Sequence, residues 1–216
     1  MSQEVRQNDL VIYEELTDKY GPDTGTWSMH TVGWLELGNQ EKANEMFSTM
    51  FRNVNGPFKI FSEKPPGSPD GQRAVNFITG MGGMLQAVFF GYGGIRQMEK
   101  TMEINPYVLP GASSWSILGL KYRGYDLDLE IEDNEVKVTL MHDPDDNDDL
   151  VLWSEEDDSR DELEQGQTVT ITRGKAVFYM KSDNEIPTAP SPPDGATSLI
   201  AQSVLVFMAA LFAKLF

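Results

Sequence analysis

At 216 residues the chain is long enough for one large domain or two small ones, and 40% apolar residues suffice for a packed core. With 34 acidic residues against 17 basic, the formal charge of −17 argues against nucleic acid and against an anionic membrane surface as an electrostatic partner, and leaves a neutral ligand such as a sugar open. There is no cysteine, which excludes disulfides, thiolate nucleophiles and zinc–thiolate sites.

The first ten residues, MSQEVRQNDL, contain no apolar core of a signal peptide. Leu10, Tyr13, Leu16 and Tyr20 recur at helical spacing, which predicts a helix over 5–20 closed by Gly21, Pro22, Asp23 and Gly25. A second helix is expected over 26–37, with Trp27, Met29, Trp34 and Leu37 available for packing. Gly38-Asn39 breaks it, and Asn39 suits the N-cap of a third helix over 40–53 whose apolar face is Ala43, Met46, Phe47, Met50 and Phe51. Asn55-Gly56-Pro57 stops that helix. A short apolar run, Phe58, Ile60 and Phe61, then leads to Glu63 and a Pro/Gly/Ser/Asp loop. The fourth helix, over 74–90, is apolar almost all round, and its Gly80, Gly82 and Gly83 imply either close helix packing or a break. Four helices with apolar surface on both sides look like part of a larger shell, and Met1 stands directly before the first of them, so a shortened chain is expected.

At Gly91 the apolar period changes from helical spacing to two. Short strands are expected at 95–99, 102–104, 115–122, 125–131, 135–141, 150–153, 168–172 and 176–180, with hairpin turns at Arg123-Gly124 and Asp133-Asn134. Leu127 and Leu129 alternate with Asp126, Asp128 and Glu130, the pattern of an antiparallel strand buried on one face. Helices followed by strands imply two segregated parts. Residues 182–198 form a Pro-rich linker, and 199–216 (LIAQSVLVFMAALFAKLF) are apolar all round. As a helix these 18 residues would span about 27 Å, close to the hydrocarbon thickness of a bilayer. Small residues before the run and only two after Lys214 resemble a removable lipid-anchor signal more than a stop-transfer helix; a tail anchor and a buried or amphipathic terminal helix are the other readings.

Glu63 is the leading candidate for chemistry. A carboxylate at the lip of an apolar segment, under a loop, has the surroundings of a general base; a solvated loop glutamate is the alternative. His30 lies between Trp27 and Trp34 and suits either a sugar hydroxyl or a buried site with satisfied nitrogens, while the two indoles suit sugar stacking or core packing. The acidic run Asp143–Asp149 alternates Asp143, Asp145 and Asn147 but has Asp148 where a calcium loop needs glycine and Ser154 where it needs glutamate, so it is read as a solvated loop. Gly91–Gly94 lacks the context and the lysine of a phosphate loop, and His30 and His142 fall in different parts, so no Ser-His-Asp set is visible. No metal site and no cofactor are expected.

Three stretches carry a family resemblance: Thr26-Trp-Ser-Met-His-Thr-Val-Gly-Trp-Leu-Glu-Leu37, Pro57-Phe-Lys-Ile-Phe-Ser-Glu63 and Ala74-Val-Asn-Phe-Ile-Thr-Gly-Met-Gly-Gly-Met-Leu-Gln-Ala87. In this order they resemble the C-terminal third of glycoside hydrolase family 65, and within it the glucosidases of collagen-type glycans, over roughly residues 5–140. The resemblance implies that residues 1–91 are the last helices of an (α/α)6 barrel, that 92–181 form a small antiparallel β-domain with an acidic loop, and that an apolar C-terminal helix follows the linker. It implies an inverting α-glucosidase that removes glucose from glucosyl-galactosyl-hydroxylysine. Glu63 is then the base, Trp27 and His30 bind substrate, and the general acid comes from an earlier part of the barrel that this chain lacks. The chain alone is then expected to be inactive. Phe61-Ser62 replaces the Trp-Thr of the resembling proteins, and the following loop is longer, which alters the surroundings of the glutamate but not the glutamate itself. A non-catalytic, membrane-anchored carbohydrate-binding or surface protein derived from such an enzyme is the alternative. Its location would be membrane-associated or extracellular given an upstream signal, and cytoplasmic otherwise.

Overall fold

A computed structural model of the chain describes residues 2–17, 26–69, 71–144 and 148–183. The apolar tail at 199–216, nearly all of the linker before it and the centre of the acidic run lie outside the described residues. Among the described residues no helix is long and apolar enough to cross a membrane.

Helix α1 (Gln3–Leu16) starts at Ser2, whose Oγ accepts from the Val5 amide at 3.3 Å, and it ends at Leu16 as Thr17 turns extended; Tyr20 and the predicted stop signals Gly21, Pro22, Asp23 and Gly25 lie outside the described residues. Helix α2 (Thr26–Glu36) is the centre of the helical layer, with α1, α3 (Gln40–Met50) and α4 (Ile78–Gln86) packed around it. Asn39 caps α3 as expected, its Oδ1 accepting from the Lys42 amide at 3.1 Å. Trp27, Trp34, Leu35, Met46, Phe61 and Tyr92 share one buried cluster.

Three features depart from the helical spacing. After α3 a 3-10 turn (Phe51–Asn53) leads into a two-residue ladder, β1 (Val54–Asn55) against β2 (Ile60–Phe61), closed by Gly56 and Lys59 with positive φ. Helix α4 begins at Ile78, not at Ala74, because the intervening backbone is used elsewhere. The Phe77 amide donates to Phe61 O and the Glu63 amide to Ala74 O, both at 2.8 Å. No break occurs at Gly80–Gly83: α4 runs through them. Close packing explains Gly80, where a Cβ would stand 3.3 Å from Phe61 Cβ, whereas a Cβ at Gly82 would meet nothing within 4 Å. The helix then widens into a π turn (Ala87–Tyr92), in which the Gly93 amide reaches Val88 O at 2.8 Å.

Strands follow from Arg96. One antiparallel sheet has the order β10 (Thr168–Thr172), β7 (Glu135–His142), β6 (Tyr125–Glu132), β5 (Ser114–Tyr122). The other has the order β3 (Arg96–Gln97), β4 (Thr101–Ile104), β11 (Ala176–Met180), β8 (Leu150–Ser154), β9 (Ser159–Glu162). Leu127, Leu129 and Ile131 from the first sheet share a buried core with Ile104, Leu152 and Phe178 from the second, forming a sandwich. Arg123 and Gly124 both have positive φ in the β5–β6 hairpin, as a tight two-residue turn requires.

Tyr92 joins the two parts. It is fully buried, its hydroxyl donates to Asn44 Oδ1 at 2.6 Å, its ring meets Phe47 edge-on, and its carbonyl accepts from the Tyr107 amide at 2.7 Å. Burial pushes its phenol well above the usual tyrosine range. The Arg96 guanidinium adds a second tie, donating to Glu36 Oε1 at 2.5 Å and to Phe90 O at 2.6 Å. Trp115 packs against both cores and donates to Tyr107 O at 3.0 Å.

Substitution should separate the two α4 glycines. Gly80→Leu should cost about 1–3 kcal/mol in urea unfolding by forcing Phe61 aside. Gly82→Ala should gain on the order of 1 kcal/mol, because a methyl there raises helix propensity without a clash.

Candidate functional site

Glu63 lies directly beyond β2, where the chain leaves the ladder. The turn that carries it is held from below by Asn53, a buried residue of the 3-10 turn. Asn53 O accepts from the Ser62 amide at 2.8 Å and from Ser62 Oγ at 3.0 Å. In return, Asn53 Nδ2 donates to Ser62 O at 3.2 Å and Glu63 O at 3.0 Å. From the other side the Glu63 amide donates to Ala74 O at 2.8 Å and the Lys64 amide to Gln72 O at 3.3 Å. The returning strand of the loop thus pairs with the turn, and Asn53 and Ser62 anchor it to the helical layer.

The Glu63 side chain is half-buried, and its Oε2 accepts from the Ala74 amide at 3.3 Å. Among the described residues no other hydrogen bond engages the carboxylate, so most of its acceptor capacity is unspent. Phe61, two residues earlier, belongs to the same buried cluster as Trp27, so the glutamate and the indole are set by one packed layer. No hydrogen bond links Glu63 to Trp27 or His30 among the described residues. Asn53 and Ser62 carry no sequence signal of their own: the first reads as the end of a helix and the second as a loop serine.

Trp27 is 7% exposed and His30 3%. Their rings lie 5.9 Å apart at 43°. Neither ring nitrogen of His30 has a partner among the described residues. Desolvation by burial lowers its pKa, opposed in part by the negative charge of Glu14. Glu14 is itself engaged, accepting from Trp34 Nε1 at 3.2 Å and from Lys42 Nζ at 2.7 Å. The imidazole is therefore a neutral group in an apolar wall.

Elsewhere, a wide depression on the sandwich is edged by Glu135, Asp157 and Asp161. It lies on the strands, apart from the Glu63 turn, and Asp157 is already committed there. Asp157 accepts from Thr172 Oγ1 at 2.5 Å, the Thr172 amide at 2.7 Å and Ser154 Oγ at 2.9 Å, and the Thr172 bonds lower its pKa. Among the described residues no group of three or more His, Asp or Glu could hold a metal ion.

Comparison with known proteins adds to this geometry. No protein-family model matches the chain. It is 39% identical to a protein-glucosylgalactosylhydroxylysine glucosidase of Danio rerio, over 86% of this chain and 26% of that protein. The Gallus gallus protein of the same name is 38% identical over 79% of this chain and 24% of its own length. A kojibiose hydrolase of Mucilaginibacter mallensis is 31% identical over 46% of this chain and 15% of that protein. Among solved structures, a chain described as a kojibiose phosphorylase from the human microbiome superposes with a TM-score of 0.57 at 14% identity, covering 81% of this chain and 23% of that one. The superposition speaks to the fold alone. The chain spans about a quarter of the length of the curated glucosidases named here.

The state of His30 has a measurable consequence. Its pKa lies below the ordinary 6.5 in the folded state, so the unfolded chain takes up the proton first as pH falls. The stability it permits is complete above about pH 6.5 and declines as pH drops from there through the folded value. His30→Leu should remove that part of the pH dependence in thermal melts between pH 8 and 5. It should also gain on the order of 1 kcal/mol at pH 8, because two unsatisfied nitrogens are deleted.

Proposed function

We propose, from the premise that this chain belongs to glycoside hydrolase family 65, that it carries the general base of an inverting α-glucosidase, and that the base is Glu63. The substrate class is glucosyl-galactosyl-hydroxylysine on collagen-type glycans, following the names of the Danio rerio and Gallus gallus relatives. On this reading α1–α4 are the last helices of an (α/α)6 barrel, and the sandwich is the β-domain behind them.

The observation that carries the proposal is the fixing of Glu63 by backbone and side-chain bonds on both sides, with its carboxylate left almost unspent. A base must be held still and must keep a lone pair for the proton it takes. In the inverting reaction a water attacks the anomeric carbon from the face opposite the leaving group. Glu63 takes the water's proton as the new C–O bond forms, and a carboxylic acid about 6.5–9.5 Å away protonates the departing oxygen as its bond to that carbon breaks. The acid is placed in the part of the relatives to which this chain does not align. On this reading Trp27 and His30 bind substrate. No cofactor takes part in this reading.

We place the apolar residues 199–216 as a removable anchor signal or membrane tail. The chain is then membrane-associated or extracellular where an upstream signal accompanies it, and cytoplasmic otherwise. Phase partitioning in detergent, before and after phospholipase treatment, tests this. Loss of the detergent-phase protein after cleavage is the result expected of a lipid anchor, and retention that of a membrane helix; recovery in the aqueous phase throughout rejects both.

The chain alone should release no glucose from an α-linked glucosyl disaccharide. Exchanged for the matching segment of the Danio rerio protein, it should sustain hydrolysis, and Glu63→Gln in that chimera should lower kcat by about 10²- to 10⁴-fold with KM little changed. Full activity of the Gln variant rejects Glu63 as the base. Turnover by the isolated chain at the rate of the chimera rejects the assignment of the acid to another segment.

A further inference from the structure

Asn55 and Gly56 close the ladder that leads to Glu63. Asn55 pairs with Ile60 at the turn end of β1–β2, and Gly56 opens the turn with a φ of 67°. No other Asn-Gly step occurs in the sequence; each of the other asparagines is followed by a residue with a side chain.

Three observations set this step apart. The Gly56 amide finds no acceptor among the described residues; the hydrogen bond of the turn runs the other way, from the Lys59 amide to Gly56 O at 3.3 Å. A Cβ at Gly56 would meet nothing within 4 Å, so no neighbouring group holds the main chain there. Asn55 Nδ2 is buried and has no hydrogen-bond partner. Asn53, two residues earlier, is the contrast: its Nδ2 donates to Ser62 O at 3.2 Å and to Glu63 O at 3.0 Å. One side-chain amide is bonded into the turn. The other is desolvated without compensation, so its loss breaks no protein hydrogen bond.

We propose that Asn55 is a site of spontaneous modification, converted to aspartate and isoaspartate in the folded chain. The Gly56 nitrogen attacks Asn55 Cγ. The bond from Cγ to Nδ2 breaks, the Gly56 proton leaves with Nδ2 as ammonia, and a five-membered succinimide closes. Water then opens the ring at one of its two carbonyls. Opening at Cγ gives aspartate; opening at the main-chain carbonyl gives isoaspartate, whose main chain runs through the side-chain methylene. The net change is amide plus water to acid plus ammonia, with no oxidation. Glycine at the second position leaves the attacking nitrogen unshielded and its φ free.

Either product puts a negative charge where a neutral amide was buried. Isoaspartate also adds one atom to the main chain at the end of a ladder of only two residue pairs. The bonds from the Ser62 amide to Asn53 O and from the Glu63 amide to Ala74 O lie directly beyond that ladder. Ageing at Asn55 therefore loosens the turn that carries Glu63. The inference does not depend on the glucosidase reading, and its readout is mass and hydrogen exchange, not hydrolysis.

The test incubates the full chain at mildly alkaline pH, folded and in urea. Trypsin then releases residues 53–59, which hold Asn53 and Asn55 together. Fragment masses locate the exchange of NH2 for OH, and labelling by an isoaspartyl methyltransferase counts the isoaspartate. Conversion of Asn55 in the folded chain is expected within about tenfold of its rate in urea, with Asn53 intact. Gly56→Ala should slow it at least about tenfold, an added barrier of about 1.4 kcal/mol. Asn55→Gln, which would have to close a larger ring, should abolish it, and it keeps the test decisive if alanine at a positive φ disturbs the turn. Amide exchange at Ser62 and Glu63 should be at least about tenfold faster in the aged chain than in the fresh one. An Asn55 that stays intact in the folded chain while the chain in urea converts overturns the inference. So does equal conversion of Asn53, or a mass gain that survives Asn55→Gln. Unchanged exchange at Ser62 and Glu63 in the converted chain overturns the link to the turn.

Discussion

The reciprocal bonding of Asn53 and Ser62 is the constraint on which the candidate site depends. Each supplies what the other lacks: Asn53 gives a carbonyl to the serine amide and hydroxyl, and its side-chain amide satisfies the carbonyls of Ser62 and Glu63. Buried polar groups must find partners or forfeit about 1–3 kcal/mol each. Here that requirement welds a 3-10 turn to a two-residue ladder too short to be stable by pairing alone. With the turn held, the segment Gln72–Phe77 can pair back onto it, and that pairing delays α4 until Ile78.

The helical layer has a second polar centre in Glu14, which explains how a helix with no buried residue stays attached. Its carboxylate accepts from an indole and an ammonium group on two other helices, and its charge acts on His30. The hydrogen bond to Glu14 is the main cause of the raised pKa of Lys42. Paired charges of this kind, partly shielded from water, are worth more than exposed surface pairs and fix orientation as well. The histidine nearby obtains no hydrogen bond from the arrangement, so it marks a place where packing has overridden polarity.

Much of the fold was legible from periodicity. The alternation at Leu127 and Leu129 located β6, the Arg123-Gly124 turn located its hairpin, and Asn39 located the start of α3. The illegible parts are those set by partners distant in the chain. Strand β9, SRDE, has no alternation; it is a strand because its backbone pairs with β8. The residues 74–77 carry helical spacing but were claimed by the Glu63 turn. Glu63 stood out as a carboxylate at an apolar edge and through the family resemblance. Asn53, which holds it, did not, because an asparagine at the end of a helical run is ordinarily a stop signal. Burial of His30 was one of two readings its aromatic flanks left open, and that reading expected satisfied nitrogens, which the structure does not provide.

The widened turn at Ala87–Tyr92 has a bearing on how such chains diverge. A π turn is an α-helix that has accommodated one surplus residue. Taking that residue out would restore regular winding and leave Tyr92 at nearly the same azimuth, facing Asn44 and offering its carbonyl to Tyr107, whereas a deletion in a regular helix would swing it by about 100°. The bulge therefore acts as a phase adjuster between two lattices with different repeats. Length changes upstream in α4 can be absorbed there without moving the first strand, provided that the aromatic pivot keeps its azimuth.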